Sequence, residues 1–120
     1  MNQVVQYRAQ HLNAGFAAVS DATRRGILER LGSGEASITD LATKFEMTLT
    51  GMKKHIAILE DAGLVTTKKV GRVRTCKLGH RRFDEETAWL ERYRKMVEER
   101  YDRLEAFLDR TADESEKGES

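Results

Sequence analysis

The order of elements between Ser37 and Leu78 constrains the fold of this chain more than any other feature. Ser37-x-x-Asp40 resembles a capping box with the acid shortened from the usual Glu, and it opens a helix running through Leu41 to Phe45. Glu46-Met47 reads as a turn. Thr48 then caps a second helix, which buries Met52, Ile56 and Leu59 at helical spacing and stops at Ala62-Gly63. Leu64 to Lys69 and Val73 to Leu78 are β-branched runs flanking Val70-Gly71-Arg72, so they predict a hairpin with glycine in the turn. A helix pair of this kind presents the N-terminal half of its second helix to a major groove, and the hairpin lays a charged strand pair beside it.

Charge follows the same segment. From Thr48 to Arg82 there are nine basic residues and two acidic ones, a local charge of +7. The whole chain carries only +1, so the remainder holds −6. A polyanion is drawn to one region of such a molecule and repelled by the rest, although a run of charge also serves as an ordinary solvated face.

The flanking sequence is helical. A first helix spans about Val4 to Val19 with Leu12, Phe16 and Val19 on one face. Asp21 caps a second helix, Ala22 to Leu31, whose Ile27, Leu28 and Leu31 point inward before Gly32-Ser33-Gly34 ends it. After Gly79 a long helix runs from about Phe83 to Arg110. In it Leu90, Val97 and Leu104 repeat every seven residues, with Tyr93, Tyr101 and Leu108 filling the steps, and Trp89 is a further apolar residue of the helix. At ~1.5 Å per residue that helix is roughly 40 Å long, more than a small domain can cover alone. The stripe therefore reads as a surface shared with a second copy; the alternative is a core helix packing on its own chain. Thr111 to Ser120 reads as a disordered acidic tail. Residues 1–110 form one domain, mainly α with a small β-hairpin.

The chain's 120 residues include no proline and one cysteine, Cys76. An intramolecular disulfide is excluded, as is a metal site built on a cysteine pair. No apolar run approaches the ~18 residues of a membrane span, and Met1 to Gln10 lacks the apolar core of a signal peptide. A cytoplasmic setting is expected. No nucleophile, base and orienting group recur at useful spacing, so no enzyme activity is expected either.

The second helix of the pair exposes Leu49, Thr50, Lys53, Lys54 and His55 opposite its apolar face. Thr48 and Lys54 suit phosphates, beside a helix N-terminus whose free N–H groups favour anions. Lys53 suits guanine O6/N7, Thr50 a base edge or thymine methyl, and Leu49 a thymine methyl. His55 reads either as a phosphate donor or as a half-buried histidine satisfied by a carbonyl. Arg72 and Arg74 read as hairpin contacts to phosphates or the minor groove, or else as charges that protect an edge hairpin from aggregation.

These residues together resemble the ArsR family of bacterial winged-helix regulators. The resemblance is carried by Asp21-Ala22-Thr23-Arg24-Arg25 with Ile27-Leu28, by Asp40-Leu41-Ala42, by Lys54-His55 with Leu59, by Ala62-Gly63-Leu64-Val65, and by Gly71-Arg72 with Leu78. It implies a homodimeric repressor on a two-fold symmetric DNA operator with half-sites ~34–36 Å apart. Pairing through the first and last helices would use Leu12, Phe16, Trp89, Leu90, Tyr93, Val97, Tyr101, Leu104 and Leu108. The alternative from another class is a winged-helix module that binds protein through its long helix and DNA only non-specifically.

Departures from the family pattern narrow the reading. Ala22 stands where the family usually has proline, Glu46 where it has glycine in the turn, and Lys53 where it commonly has serine. A left-handed backbone at Glu46 would be strained by ~1–3 kcal/mol. Metal-sensing members carry cysteines before the recognition helix, where this chain has Ser37 and Thr39, and hydroxyls do not hold soft metals. The last helix has no histidine, and His11, His55 and His80 are scattered, so neither metal nor cofactor is expected. Cys76 reads as a packed thiol; a redox switch is the other reading, because Arg74 and Lys77 stand beside it.

Overall fold

The computed structural model describes the backbone of residues 2–118 and the side chains of residues 6–114. It comprises two compact units, residues 1–84 and 85–120. In the first unit the order is α1 (Asn2–Val19), α2 (Ala22–Leu31), β1 (Ala36–Ser37), α3 (Ile38–Lys44), α4 (Leu49–Asp61), β2 (Val65–Val70) and β3 (Val73–Leu78). The second unit is α5 (Asp84–Gly118).

Local capping sets the helix boundaries. The Asp21 carboxylate accepts from the Arg24 N–H at 3.0 Å, and this hydrogen bond is the main reason its pKa lies below the ordinary carboxylate value. Ser37 and Thr48 cap α3 and α4 in the same way, each accepting from the N–H three residues on at 3.0 Å. The C-terminus of α1 is closed by side chains from the next helix. Arg24 Nε and Nη2 donate to the Ala18 and Ala17 carbonyls at 2.7 and 3.0 Å, and Arg25 Nη1 donates to Val19 at 2.7 Å. Cations at a helix C-terminus satisfy its orphan carbonyls and meet the negative end of its dipole.

Two helices end in the same reversal. Beyond α4, Leu64 N–H donates to Leu59 C=O at 2.9 Å with Gly63 at φ +76° between them. Beyond α3, Met47 N–H donates to Ala42 C=O at 2.9 Å, and the left-handed position is Glu46 at φ +53°. Both are Schellman closures, which ordinarily place glycine at that point.

The core lies wholly in the first unit. Ile27, Leu41, Met52, Leu59, Val65 and Cys76 are its largest fully buried side chains, and burying each aliphatic one contributes about 1.5–3 kcal/mol. Among the described residues of α1 the buried positions are Gly15 and Ala18, so small residues bring that helix close, while Leu12, Phe16 and Val19 are half-buried.

The sheet is three-stranded and antiparallel in the order β1-β3-β2, not the simple hairpin expected from the sequence. Ala36 and Ser37 pair with Cys76 and Thr75. A two-residue strand has no periodicity to announce it; its pairing depends on β3 being in place. The β2–β3 turn closes between Val70 and Val73, with Gly71 at φ +64° in the first central position, as in a type II′ turn.

The second unit corrects two boundaries. Phe83 takes a left-handed φ of +60° and lies outside the helix, which starts at Asp84. Residues 111–118, expected as a disordered tail, continue α5. No proline or glycine interrupts the sequence before Gly118, Ala112 and Glu114 favour helix, and the Thr111 hydroxyl donates to the Phe107 carbonyl at 2.9 Å. Ser120 and Glu119 lie outside the described residues. At ~1.5 Å per residue α5 is roughly 50 Å long. Trp89, Leu90, Tyr93, Met96, Tyr101, Leu104, Phe107 and Leu108 are 41–67% exposed along it, and Val97 is partly covered.

Candidate nucleic-acid interface

The interface is built on α4, which is cleanly two-sided. Met52, Ile56 and Leu59 are buried, whereas Leu49, Thr50, Lys53 and Lys54 are exposed. The wing, β2 and β3, projects beside that exposed face. Thr67 on β2 donates to the Glu60 carboxylate of α4 at 2.5 Å, fixing strand and helix together.

Between α4, the start of α3 and the wing lies an open cleft of about 760 Å³. Its walls carry Lys53 from α4 and Lys69, Arg72 and Arg74 from the wing, with Leu49, Ile38 and Val73 as apolar lining. Ser37, Thr39 and Thr67 add hydroxyls. A concave surface bearing four cations, one from α4 and three from the wing, suits a phosphodiester chain more than a small neutral ligand.

The residues singled out from sequence fall into two groups here. Leu49, Lys53, Arg72 and Arg74 meet in the cleft. Thr48, Thr50 and Lys54 are exposed at or near the N-terminus of α4, outside the cleft lining. His55 is half-buried, not exposed, because its Nδ1 lies 3.3 Å from Arg24 Nη1. Lys69 and Thr39 were missed as cleft residues. Strand alternation places Lys69 on the same side of β2 as Thr67, a parity that could have found it.

Arg81 was counted with the basic face but serves the fold. Half-buried, it donates to the carbonyls of Ala62 and His11 at 2.6 and 2.7 Å and lies over the Phe83 ring at 5.9 Å. Cys76 is fully buried. Burial pushes its thiol up to about 11 from an ordinary 9.0, with Glu60 adding and Arg74 opposing. Burial therefore outweighs the basic neighbourhood. Among the described residues no group of three or more His, Cys, Asp or Glu side chains could hold a metal. None of the described helices is long and apolar enough to cross a membrane.

A helix pair with an exposed second helix, flanked by a cationic hairpin, is a winged helix-turn-helix, a domain class of DNA-binding transcriptional regulators. A family model described as a helix-turn-helix domain matches residues 19–68. The uncharacterized HTH-type transcriptional regulator YuzN of Bacillus subtilis is 41% identical over 69 residues, covering 52% of this chain and 75% of that protein. An arsenical resistance operon repressor of Staphylococcus aureus is 34% identical over 76 residues, 63% of this chain and 73% of that protein. The crystal structure of an ArsR family transcriptional regulator superposes with a TM-score of 0.69 at 42% identity, over 75% of this chain and 93% of that one. The chain belongs to the ArsR family, and it is a DNA-binding regulator.

Proposed function

We propose that the protein is a repressor that binds a two-fold symmetric operator as a homodimer. In each copy α4 enters the major groove, and the wing follows the neighbouring backbone. The observation that carries this reading is the cleft, where Lys53, Lys69, Arg72 and Arg74 converge on one concave surface. The apolar stripe of α5 supports the dimer: aromatic and aliphatic side chains along roughly five turns are too exposed for a helix in water without a partner. Repression follows from occupancy, because a dimer bound across a promoter excludes other proteins from it.

A salt titration of DNA affinity tests the reading. Four phosphate contacts per copy from Lys54, Lys69, Arg72 and Arg74 predict a slope of log K against log salt of about −7 for the dimer. A shallow slope with no sequence preference would instead identify a protein-binding module whose basic face is incidental.

A further inference from the structure

Three helices meet at Arg24. Its backbone N–H closes the N-cap of α2 on Asp21, and two of its guanidinium nitrogens are held by α1, through the Ala18 and Ala17 carbonyls. The third, Nη1, lies 3.3 Å from Nδ1 of His55 on α4. A guanidinium donates and never accepts. The contact with His55 therefore needs a lone pair on Nδ1, which leaves the proton of the neutral ring on Nε2. Because α1 carbonyls grip the other two nitrogens, Nη1 cannot swing away to accommodate the opposite tautomer. The Asp21 carboxylate also interacts with the ring, and it is already engaged by the Arg24 N–H.

We propose that Arg24 is a positioning residue for DNA recognition: it locks His55 as the Nε2–H tautomer, a neutral, directed donor to a backbone phosphate beside Lys54. The phosphate half of this inference rests on the operator-binding reading above; the tautomer half does not. A neutral donor differs from the neighbouring lysines in kind. It fixes register on the duplex through geometry, and it displaces no counterion, so it contributes affinity without salt dependence.

The first experiment is nitrogen-resolved NMR of the histidine rings in DNA-free protein at mildly alkaline pH. His55 is assigned by its disappearance in His55→Gln. The expected result is one tautomer, proton on Nε2, in the wild type, and a mixture in Arg24→Lys, which keeps charge but loses the three-way fork. A predominant Nδ1–H form, or an unchanged tautomer in Arg24→Lys, overturns the role of Arg24. The second experiment measures operator affinity across salt. His55→Gln places an amide N–H where Nε2 was and should bind within about twofold of wild type. His55→Asn places its amide at the Nδ1 position and should bind about tenfold more weakly, with the salt slope unchanged. Equal binding by both variants overturns the phosphate contact, and a slope reduced by about 0.9 per lost contact shows that His55 acts as a cation instead. Wild-type protein with the expected tautomer but no operator affinity sinks the functional reading and the phosphate contact together, leaving the tautomer lock standing.

Discussion

The Thr67 hydroxyl donates to the Glu60 carboxylate at 2.5 Å, joining the last turn of the recognition helix to the first strand of the wing. Thr67 also lines the cleft that both elements enclose. The pair thus holds the two DNA-facing surfaces at one separation. Thr67→Val keeps the shape and removes the donor from a partly buried, charged acceptor, a loss of about 1–2 kcal/mol. Denaturant melts should report that loss, and operator affinity should fall with no change in salt slope, since no phosphate contact is removed. A variant as stable as wild type would show that the bond does not couple wing to helix.

Lys53 and the wing cations should separate by kind of effect. Lys53→Ala removes a base-edge contact and should relax preference at one position in each half-site by about 1–3 kcal/mol. Arg72→Ala and Lys69→Ala should weaken all DNA alike and lower the salt slope by about 1 per contact. Binding-site selection with each variant distinguishes the two outcomes. If all three kept the wild-type preference and only lost affinity, the assignment of Lys53 to a base would be wrong.

The paired reversals after α3 and α4 give substitutions of opposite sign. Glu46 sits at φ +53°, where a side chain costs ~1–2 kcal/mol, so Glu46→Gly removes that strain against an unfolded-state entropy cost of ~0.5–1 kcal/mol. A net gain of about 0.5–1 kcal/mol is expected. At Gly63, φ +76°, an added Cβ meets nothing nearer than Arg81 Cδ at 4.0 Å, so Gly63→Ala suffers strain of ~1–2 kcal/mol without a clash; against an unfolded-state gain of ~0.5–1 kcal/mol the net loss should be about 0.5–1 kcal/mol. Chemical denaturation of both variants measures the two signs. Destabilisation by Glu46→Gly would mean that the glutamate side chain compensates for its backbone.

What was legible in the sequence was what is decided locally. Asp21, Ser37, Thr48 and Gly63 mark helix ends because caps act over three or four residues, and Met52, Ile56 and Leu59 mark the buried face of α4 through spacing alone. What was hidden depends on neighbours distant in the chain. β1 exists only because β3 passes beside Ala36 and Ser37. Arg81 was counted with the basic face and Arg24 was given no role of its own, yet each bridges elements through carbonyls whose positions no sequence pattern gives. Half-burial was one of the two readings of His55, but its partner is Arg24, 31 residues away, and not the carbonyl expected. In the cleft, Leu49, Lys53, Arg72 and Arg74 were named from charge and helical register; Lys69 could have been added from strand parity, while Thr39 needed the wing placed against α3. The acidic end of α5 misled because polarity was read as disorder, although helix propensity does not require burial.

The stripe on α5 predicts an oligomer that a single charge disrupts. Leu104 is 51% exposed, so Leu104→Glu leaves the helix itself intact but places a carboxylate in an apolar interface. Sedimentation should show a dimer for wild type and a monomer for the variant, with unchanged helicity. Affinity for a two-fold operator should drop about a hundredfold or more, because linked half-site binding is lost. A variant that stays dimeric would move the interface away from this stripe.

Cys76 makes the last test, and its sign follows from burial. Below pH 9.0 the thiol is neutral in both folded and unfolded chains, and stability is at its full value. Between 9.0 and about 11 the unfolded chain ionises while the folded one does not, so stability falls, and the loss is complete above about 11. Cys76→Ala cannot ionise there. The difference in unfolding free energy between wild type and Cys76→Ala should therefore be flat below pH 9.0 and shift steadily toward the variant above it. The same burial keeps the nucleophilic thiolate scarce at neutral pH and shields the sulfur from reagents, since the side chain has no exposed surface. A thiol reagent should label native protein far more slowly than unfolded protein, at a rate that rises with denaturant and levels off at the opening rate when reagent is in large excess, and mild peroxide should leave operator binding unchanged. Labelling as fast as in the unfolded chain, with loss of DNA binding, would instead make Cys76 a redox switch, because a sulfur packed against the core reacts only after the sheet comes apart and so cannot match that rate.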